Sequence, residues 1–212
     1  MFEKIDRVLV LGPHPDDGEF SSGATISRLI DEGKEVYYAV FSLCEKSVPK
    51  EFPPDALKYE LENSCKVLGI KQENVTIFSY EVREFPKYRQ EILEDLVKLN
   101  KQIKPDLVFL PSSSDIHQDH FTIYQEGVRA FKFCNLLGYE MPWNNFSFSS
   151  SIYVVVSKDN INKKIAAIDE YETQKFRPYS GEEFVVSLSK LRGIQIKETY
   201  AESFELIRWI VK

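Results

Sequence analysis

Residues 7–33 read "RVLVLGPHPDDGEFSSGATISRLIDEG", and the two ends of this stretch obey different periods. Residues 7–12 are a short apolar run closed by glycine, as in a strand buried on both faces. Residues 20–33 place Ile26, Leu29 and Ile30 at helical spacing and stop at Gly33. Between them stand His14, Pro15 and two adjacent acids, Asp16 and Asp17. Asp16 with Glu19 three residues on fits a capping box, but a cap accounts for neither the histidine nor the second acid.

The alternation continues outward. The pattern predicts strands at 35–43, 74–80 and 106–111, with helices at 54–70 and 87–104 between them. This β-α-β-α-β-α-β order predicts an α/β fold, Rossmann-like, with three α/β/α layers around a mostly parallel sheet. A polar loop (112–118), a helix near 119–133 and an irregular aromatic segment (138–148) follow. A fifth strand (151–157), helices near 159–173 and 181–192, and a closing edge strand (202–211) complete the reading. No repeat, low-complexity tract or linker interrupts residues 1–212, so one domain is expected.

Composition narrows the partners. With 27 basic and 33 acidic side chains the chain carries a net charge of −6, which disfavours nucleic acid and suits a small substrate. No apolar stretch approaches the ~18 residues of a membrane span, and the N-terminal run is too short for a signal peptide. Cys44, Cys65 and Cys134 are odd in number and lie in no paired motif. They read as reduced, buried thiols, and the expected location is cytoplasmic.

The chain has three histidines, His14, His117 and His120, each within two residues of an aspartate. His14 follows the first strand; the other two lie in "PSSSDIHQDH" (111–120), after the fourth. Open α/β sheets bind ligands at the carboxyl ends of their strands, and a 3-2-1-4-5 order makes these two strands neighbours. His14, Asp17 and His120 then supply a ligand set for catalytic zinc, or another divalent metal, with a position left for water. Asp16 is free to take a proton from that water. His117 is placed to hold an oxyanion or to protonate a leaving amine, and Asp119 to orient an imidazole. Asp115 or Asp119 also fits a cap for the helix near 119. A nucleotide-binding module without chemistry is disfavoured, because "GPHPDDG" stands where its Gly-x-Gly-x-x-Gly would be.

These residues resemble the zinc-dependent deacetylases of the LmbE/PIG-L superfamily. "PHPDDGEFSSGATISRL" is similar to the family's first motif, His-Pro-Asp-Asp, and "HQDH" to its second, His-x-Asp-His. "LENSCKVLGI", "KPDLVFLPS" and "TYAESFEL" extend the likeness over nearly the whole chain. The resemblance implies metal ligation by His14, Asp17 and His120, Asp16 as general base, His117 as acid or oxyanion partner, and Asp119 in support. Three departures stand out: Gly18 where many members carry Glu, Ser21-Ser22 in place of part of a glycine run, and Lys58 near a frequent Arg.

The expected reaction is hydrolysis of an N-acetyl amino sugar, free or nucleotide- or lipid-linked. An N-formyl sugar or a thiol-sugar conjugate is the alternative amide. Relatives are often multimeric, so a homo-oligomer is a state open to the chain. In "EMPWNNFSF" (140–148), Trp143 is a candidate for stacking on a sugar, and Asn144 and Asn145 for bonding its hydroxyls. The competing reading puts Trp143, Phe146 and Phe148 in the core or an interface. Arg83, Arg89, Arg177 and Arg192 are candidates for a phosphate or carboxylate. Arg192, before Gly193 at a predicted helix end, is preferred.

Overall fold

The computed structural model describes residues 2–211. Seven strands form one sheet: β1 (Arg7–Gly12), β2 (Glu35–Val40), β3 (Val75–Ile77), β4 (Leu107–Pro111), β5 (Asn135–Tyr139), β6 (Ile152–Val155) and β7 (Ala201–Arg208). Their order is β3-β2-β1-β4-β5-β7-β6. The first five pair in parallel, and β7 runs antiparallel to both β5 and β6. The helices are α1 (Asp17–Asp31), α2 (Ala56–Leu68), α3 (Arg89–Ile103), α4 (Gln118–Ala130), α5 (Lys158–Asp169) and α6 (Glu182–Ile194).

The side chains of β1 explain the layers. Val8 and Val10 join one core with Ile26 and Leu29 of α1, Leu61 and Leu68 of α2, and Ile161 and Ile168 of α5. Leu9 and Leu11 point the other way, into a second core with Ile92, Leu96 and Leu99 of α3 and Ile123 of α4. A strand whose successive residues enter opposite cores must be apolar throughout, as "VLVL" is. Each of these side chains contributes about 1.5–3 kcal/mol by leaving water.

Two expectations are corrected. The segment from 135 was not anticipated as a strand, yet it forms β5 beside β4. It is only five residues long and contains a glycine, so its sequence signal is weak. Gly138 is required there: a Cβ would sit 3.0 Å from the Cα of Ser112. The C-terminal strand is also not the sheet's edge. It inserts between β5 and β6, and β6 takes the edge.

Helix α1 is kinked at Ser22 (φ −132°, ψ 16°). Glu202, from β7, accepts hydrogen bonds from the backbone N–H of Ala24 (3.2 Å) and Thr25 (2.7 Å), and pairs with buried Lys164 at 2.6 Å. The carboxylate thus recaps the helix where its own ladder is broken. Ser21 Oγ donates to the carbonyl of Asp17 and Ser22 Oγ to that of Gly18, which gives the serine pair a local role. The first turn of α1, with Asp17, is thereby set apart from the helix body.

Tyr38 of β2 packs under the loop joining β1 to α1. A Cβ on Gly12 would lie 2.8 Å from the Tyr38 ring and 2.9 Å from the carbonyl oxygen of His14; one on Gly18 would lie 2.8 Å from the same ring. Tyr38 also accepts from the Gly18 N–H (2.9 Å) and donates to the Pro15 carbonyl (3.0 Å). Glycine at 18 is therefore imposed by this tyrosine. Gly12→Ala is expected to cost about 1–3 kcal/mol by overpacking. Urea unfolding should show this as a lower midpoint with an unchanged slope.

Candidate active site

The loop after β1 and the loop leading from β4 into α4 meet because β1 and β4 are neighbours, paired in register at Val8–Leu107 through Val10–Phe109. His14 Nδ1 lies 3.2 Å from His120 Nε2 and 3.4 Å from Asp17 Oδ2, and His120 Nε2 lies 3.3 Å from the same oxygen. The three donors form a nearly equilateral triangle. A tetrahedral ion with bonds of about 2.0–2.1 Å, as zinc makes to nitrogen and oxygen, spaces its ligands about 3.3–3.4 Å apart. The residues fit a divalent ion. The three histidines also bring ligand atoms within 4.8 Å of one another. That grouping is looser, and the mixed triangle is the better match.

Each imidazole is held from behind. His14 Nε2 bonds Asp119 Oδ2 at 3.1 Å, and His120 Nδ1 bonds Asp115 Oδ2 at 2.7 Å. These carboxylates fix the ring orientations and leave Nδ1 of His14 and Nε2 of His120 as the free donors. Asp115 was expected only as a helix cap. Its other oxygen does accept the N–H of His117 (2.9 Å), so one residue both shapes the turn and holds the His120 ring. The spacing of an aspartate five residues before His120 in the same loop was the available signal.

The true N-cap of α4 is His117, whose Nδ1 accepts the N–H of Asp119 at 3.2 Å. The capping box at the first motif does not form. Asp16 makes no side-chain cap bond and instead lines the cavity. Glu19 turns inward and accepts from Ser64 (2.7 Å), Tyr171 (3.0 Å) and Tyr38 (3.1 Å). Burial outweighs those hydroxyls and pushes its carboxyl up to about 7. The Tyr171 and Tyr38 hydroxyls also lie within hydrogen-bond distance of the Pro15 carbonyl, each sharing its one proton between that oxygen and Glu19, so the network fixes the loop from below.

Electrostatics follow from packing. Burial raises the Asp16 carboxyl, Asp17 beside it raises it further, and it reaches about 6. For Asp17 burial also pulls upward, but His120 and His14 prevail and hold it well below the usual range. Burial opposes a proton on His120, yet Asp17 and Asp115 outweigh it and lift the ring to about 10; His14 is raised in the same way by Asp17 and Asp119. His117 goes the other way, to about 4, through burial and the charges of His120 and His14.

A cavity of about 300 Å³ opens over the triangle. His14, Asp16, Asp17, His117, His120, Trp143 and Asn144 all line it, while Asp119 sits behind His14. Trp143 stacks on Tyr179 (3.7 Å, 6°) and meets Phe20 edge-on, so it is a cavity wall with one face already covered. Asn144 Nδ2 reaches Asp115 at 3.4 Å. Asn145 turns away, to Ser112 and Ser114. Arg192 is a correction: it does not line the cavity but forks onto Glu140, with Nε at 3.0 Å. Arg89 is likewise taken, by Glu126. The arginines that do line the cavity are Arg83 and Arg177.

Fold and site together define a hydrolase of α/β fold with a candidate metal centre at the carboxyl ends of parallel strands. The chain belongs to the PIG-L family, whose model, described as GlcNAc-PI de-N-acetylase, matches residues 9–131. It is 30% identical over 177 residues to an uncharacterized deacetylase, YaiS, of Escherichia coli (strain K12), covering 80% of this chain and 92% of that one. It is 31% identical over 134 residues to a probable N-acetyl-alpha-D-glucosaminyl L-malate deacetylase 2 of Bacillus cereus, covering 58% of this chain and 60% of that one. In fold it is similar to the N,N'-diacetylchitobiose deacetylase of Pyrococcus horikoshii, with a TM-score of 0.82, 22% identity, and 97% and 85% of the two chains covered.

Because the His120 ring, lifted to about 10, holds a proton that an ion must displace, loading by a divalent metal at neutral pH should release a proton and tighten as pH rises towards 10. Calorimetry in buffers of different ionisation enthalpy measures that release. Asp115→Asn should weaken metal binding about 10–100-fold through His120, and His120→Ala should abolish it in equilibrium dialysis.

Proposed function

We propose that this chain removes the N-acetyl group from an amino sugar or a sugar conjugate, with zinc at His14, Asp17 and His120. The observation that carries the reading is the donor triangle with Asp16 and His117 facing the same cavity. The relatives of Escherichia coli and Bacillus cereus are named as deacetylases, the second as a probable deacetylase of an N-acetylglucosaminyl compound, in keeping with it. Zinc bound there supplies Lewis acidity, polarising a carbonyl and lowering the pKa of water towards ~7.

The side chains supply the rest. Asp16, with its proton affinity lifted to about 6, takes the proton of the attacking water at its carboxylate. It then returns that proton to the amine nitrogen as the C–N bond breaks and acetate leaves. His117 was open to two roles, and its cap contact favours one. An Nδ1 that accepts from the Asp119 N–H carries no proton, so the ring is neutral with its hydrogen on Nε2. The ring's low proton affinity agrees. His117 thus donates a hydrogen bond to the tetrahedral oxyanion, a task that needs no proton transfer. Trp143 and Asn144 form the wall against which the sugar lies, the first by apolar contact and the second by its amide.

The test is acetate release from a panel of N-acetylated sugars by zinc-loaded, chelator-stripped and zinc-restored protein. Activity should vanish with the metal and return with it; activity indifferent to chelation sinks the scheme. Asp16→Asn should lower kcat about 10²–10⁴-fold while the metal stays bound. His117→Ala should lose about 10²–10³-fold, and His117→Gln, which keeps a donor, markedly less.

A further inference from the structure

We infer that Arg83 and Arg177 form an anion-binding subsite at the cavity mouth, so that the substrate is an N-acetyl amino sugar bearing a carboxylate or phosphate group. The inference rests on the deacetylase reading above and specifies its substrate.

The argument begins with charge pairing. Arg28, Arg89, Arg129 and Arg192 are each paired with a glutamate. Arg83 and Arg177, which line the cavity, have neutral hydrogen-bond partners. Arg83 Nη2 donates to Ser47 Oγ at 2.7 Å. Arg177 donates through Nε to Gln174 Oε1 (2.6 Å) and through Nη1 to the Tyr179 hydroxyl (2.7 Å). A guanidinium has five N–H donors, so most of theirs stay available. The acids lining the cavity are Asp16 and Asp17, both at the metal end. Asp17 is engaged by two imidazoles; Asp16 feels the charge of Arg177 without a hydrogen bond between them.

Arg83 is fixed through its backbone, and Arg177 through its side chain. Arg83 has a left-handed backbone (φ 69°), unusual for a branchless charged residue and held by its neighbours. Its N–H donates to Asp119 at 2.6 Å, and its carbonyl accepts from the Gln118 amide. Arg177 lies over the rings of Phe176 (5.3 Å) and Tyr179 (5.7 Å). Guanidinium forks are suited to planar or tetrahedral oxyanions rather than to neutral hydroxyls. On a chain of net charge −6, an anionic substrate is repelled from most of the surface, and a local pair of cations at the mouth overcomes this.

The test compares zinc-loaded enzyme on N-acetylglucosamine 1-phosphate and N-acetylmuramic acid with neutral N-acetylglucosamine and N,N'-diacetylchitobiose. At least one anionic substrate should exceed the neutral ones tenfold or more in kcat/KM, chiefly through KM; which one identifies phosphate or carboxylate. Arg83→Asn, chosen because asparagine tolerates the left-handed backbone, and Arg177→Met should each shrink that ratio at least tenfold, and Arg177→Lys should restore part of it. If acetate is released equally from neutral and charged sugars, or the variants leave the ratio alone, the subsite is overturned and the deacetylase reading stands. If no sugar releases acetate, that reading falls. Calorimetry of glucosamine 1-phosphate and glucuronic acid against neutral glucose then decides the subsite by itself, and equal binding refutes it.

Discussion

His14 and His120 come within 3.2 Å of each other because two parallel strands, hydrogen-bonded side by side, end at the same level of the sheet. Everything else in the site is organised around that approach. Two imidazole nitrogens and a carboxylate oxygen at 3.2–3.4 Å repel through their lone pairs unless a proton or a cation sits among them. The fold holds them there with Asp115 and Asp119 behind, and with Glu19, Tyr38 and Tyr171 beneath the loop of Pro15. Such a crowd is unfavourable as a purely structural device and useful as a receptor for positive charge.

Much of this was legible in the sequence, for physical reasons. The alternation of β1 with α1 follows from short apolar runs buried on two faces and from helices ending at glycine. The candidate ligands were legible because histidine is scarce here and all three copies fall within two residues of an aspartate after a strand end. What was not legible depends on tertiary neighbours. β5 is too short, and carries a glycine, because it packs tightly against the turn after β4. The place of β7 inside the sheet is set by pairing with two strands far away in sequence. Glu19 looked like the partner of a helix cap, and only the three hydroxyls that surround it reveal that it points inward. Arg192 sits at a helix end as expected, but Glu140, 52 residues earlier, claims its guanidinium.

The broken ladder of α1 deserves comparison with a straight helix. In a straight one, the register of Ile26 and Leu29 in the core would dictate where Asp17 points. Here the kink at Ser22 separates the two demands, and Glu202 with Lys164 satisfies the backbone that the kink exposes. A buried ion pair of this sort is weak as a source of stability. Its role is geometric, letting the helix body serve the core while its first turn serves the site.

Asp119 has a further consequence. One carboxylate steadies His14 and also grips the N–H groups of Arg83 (2.6 Å) and Phe85 (3.3 Å) in the loop after β3. Ion affinity and loop order therefore draw on a shared group, and thermodynamic reciprocity links them. If ordering the loop tightens ion binding at the triangle, a bound ion must favour the ordered loop by the same free energy.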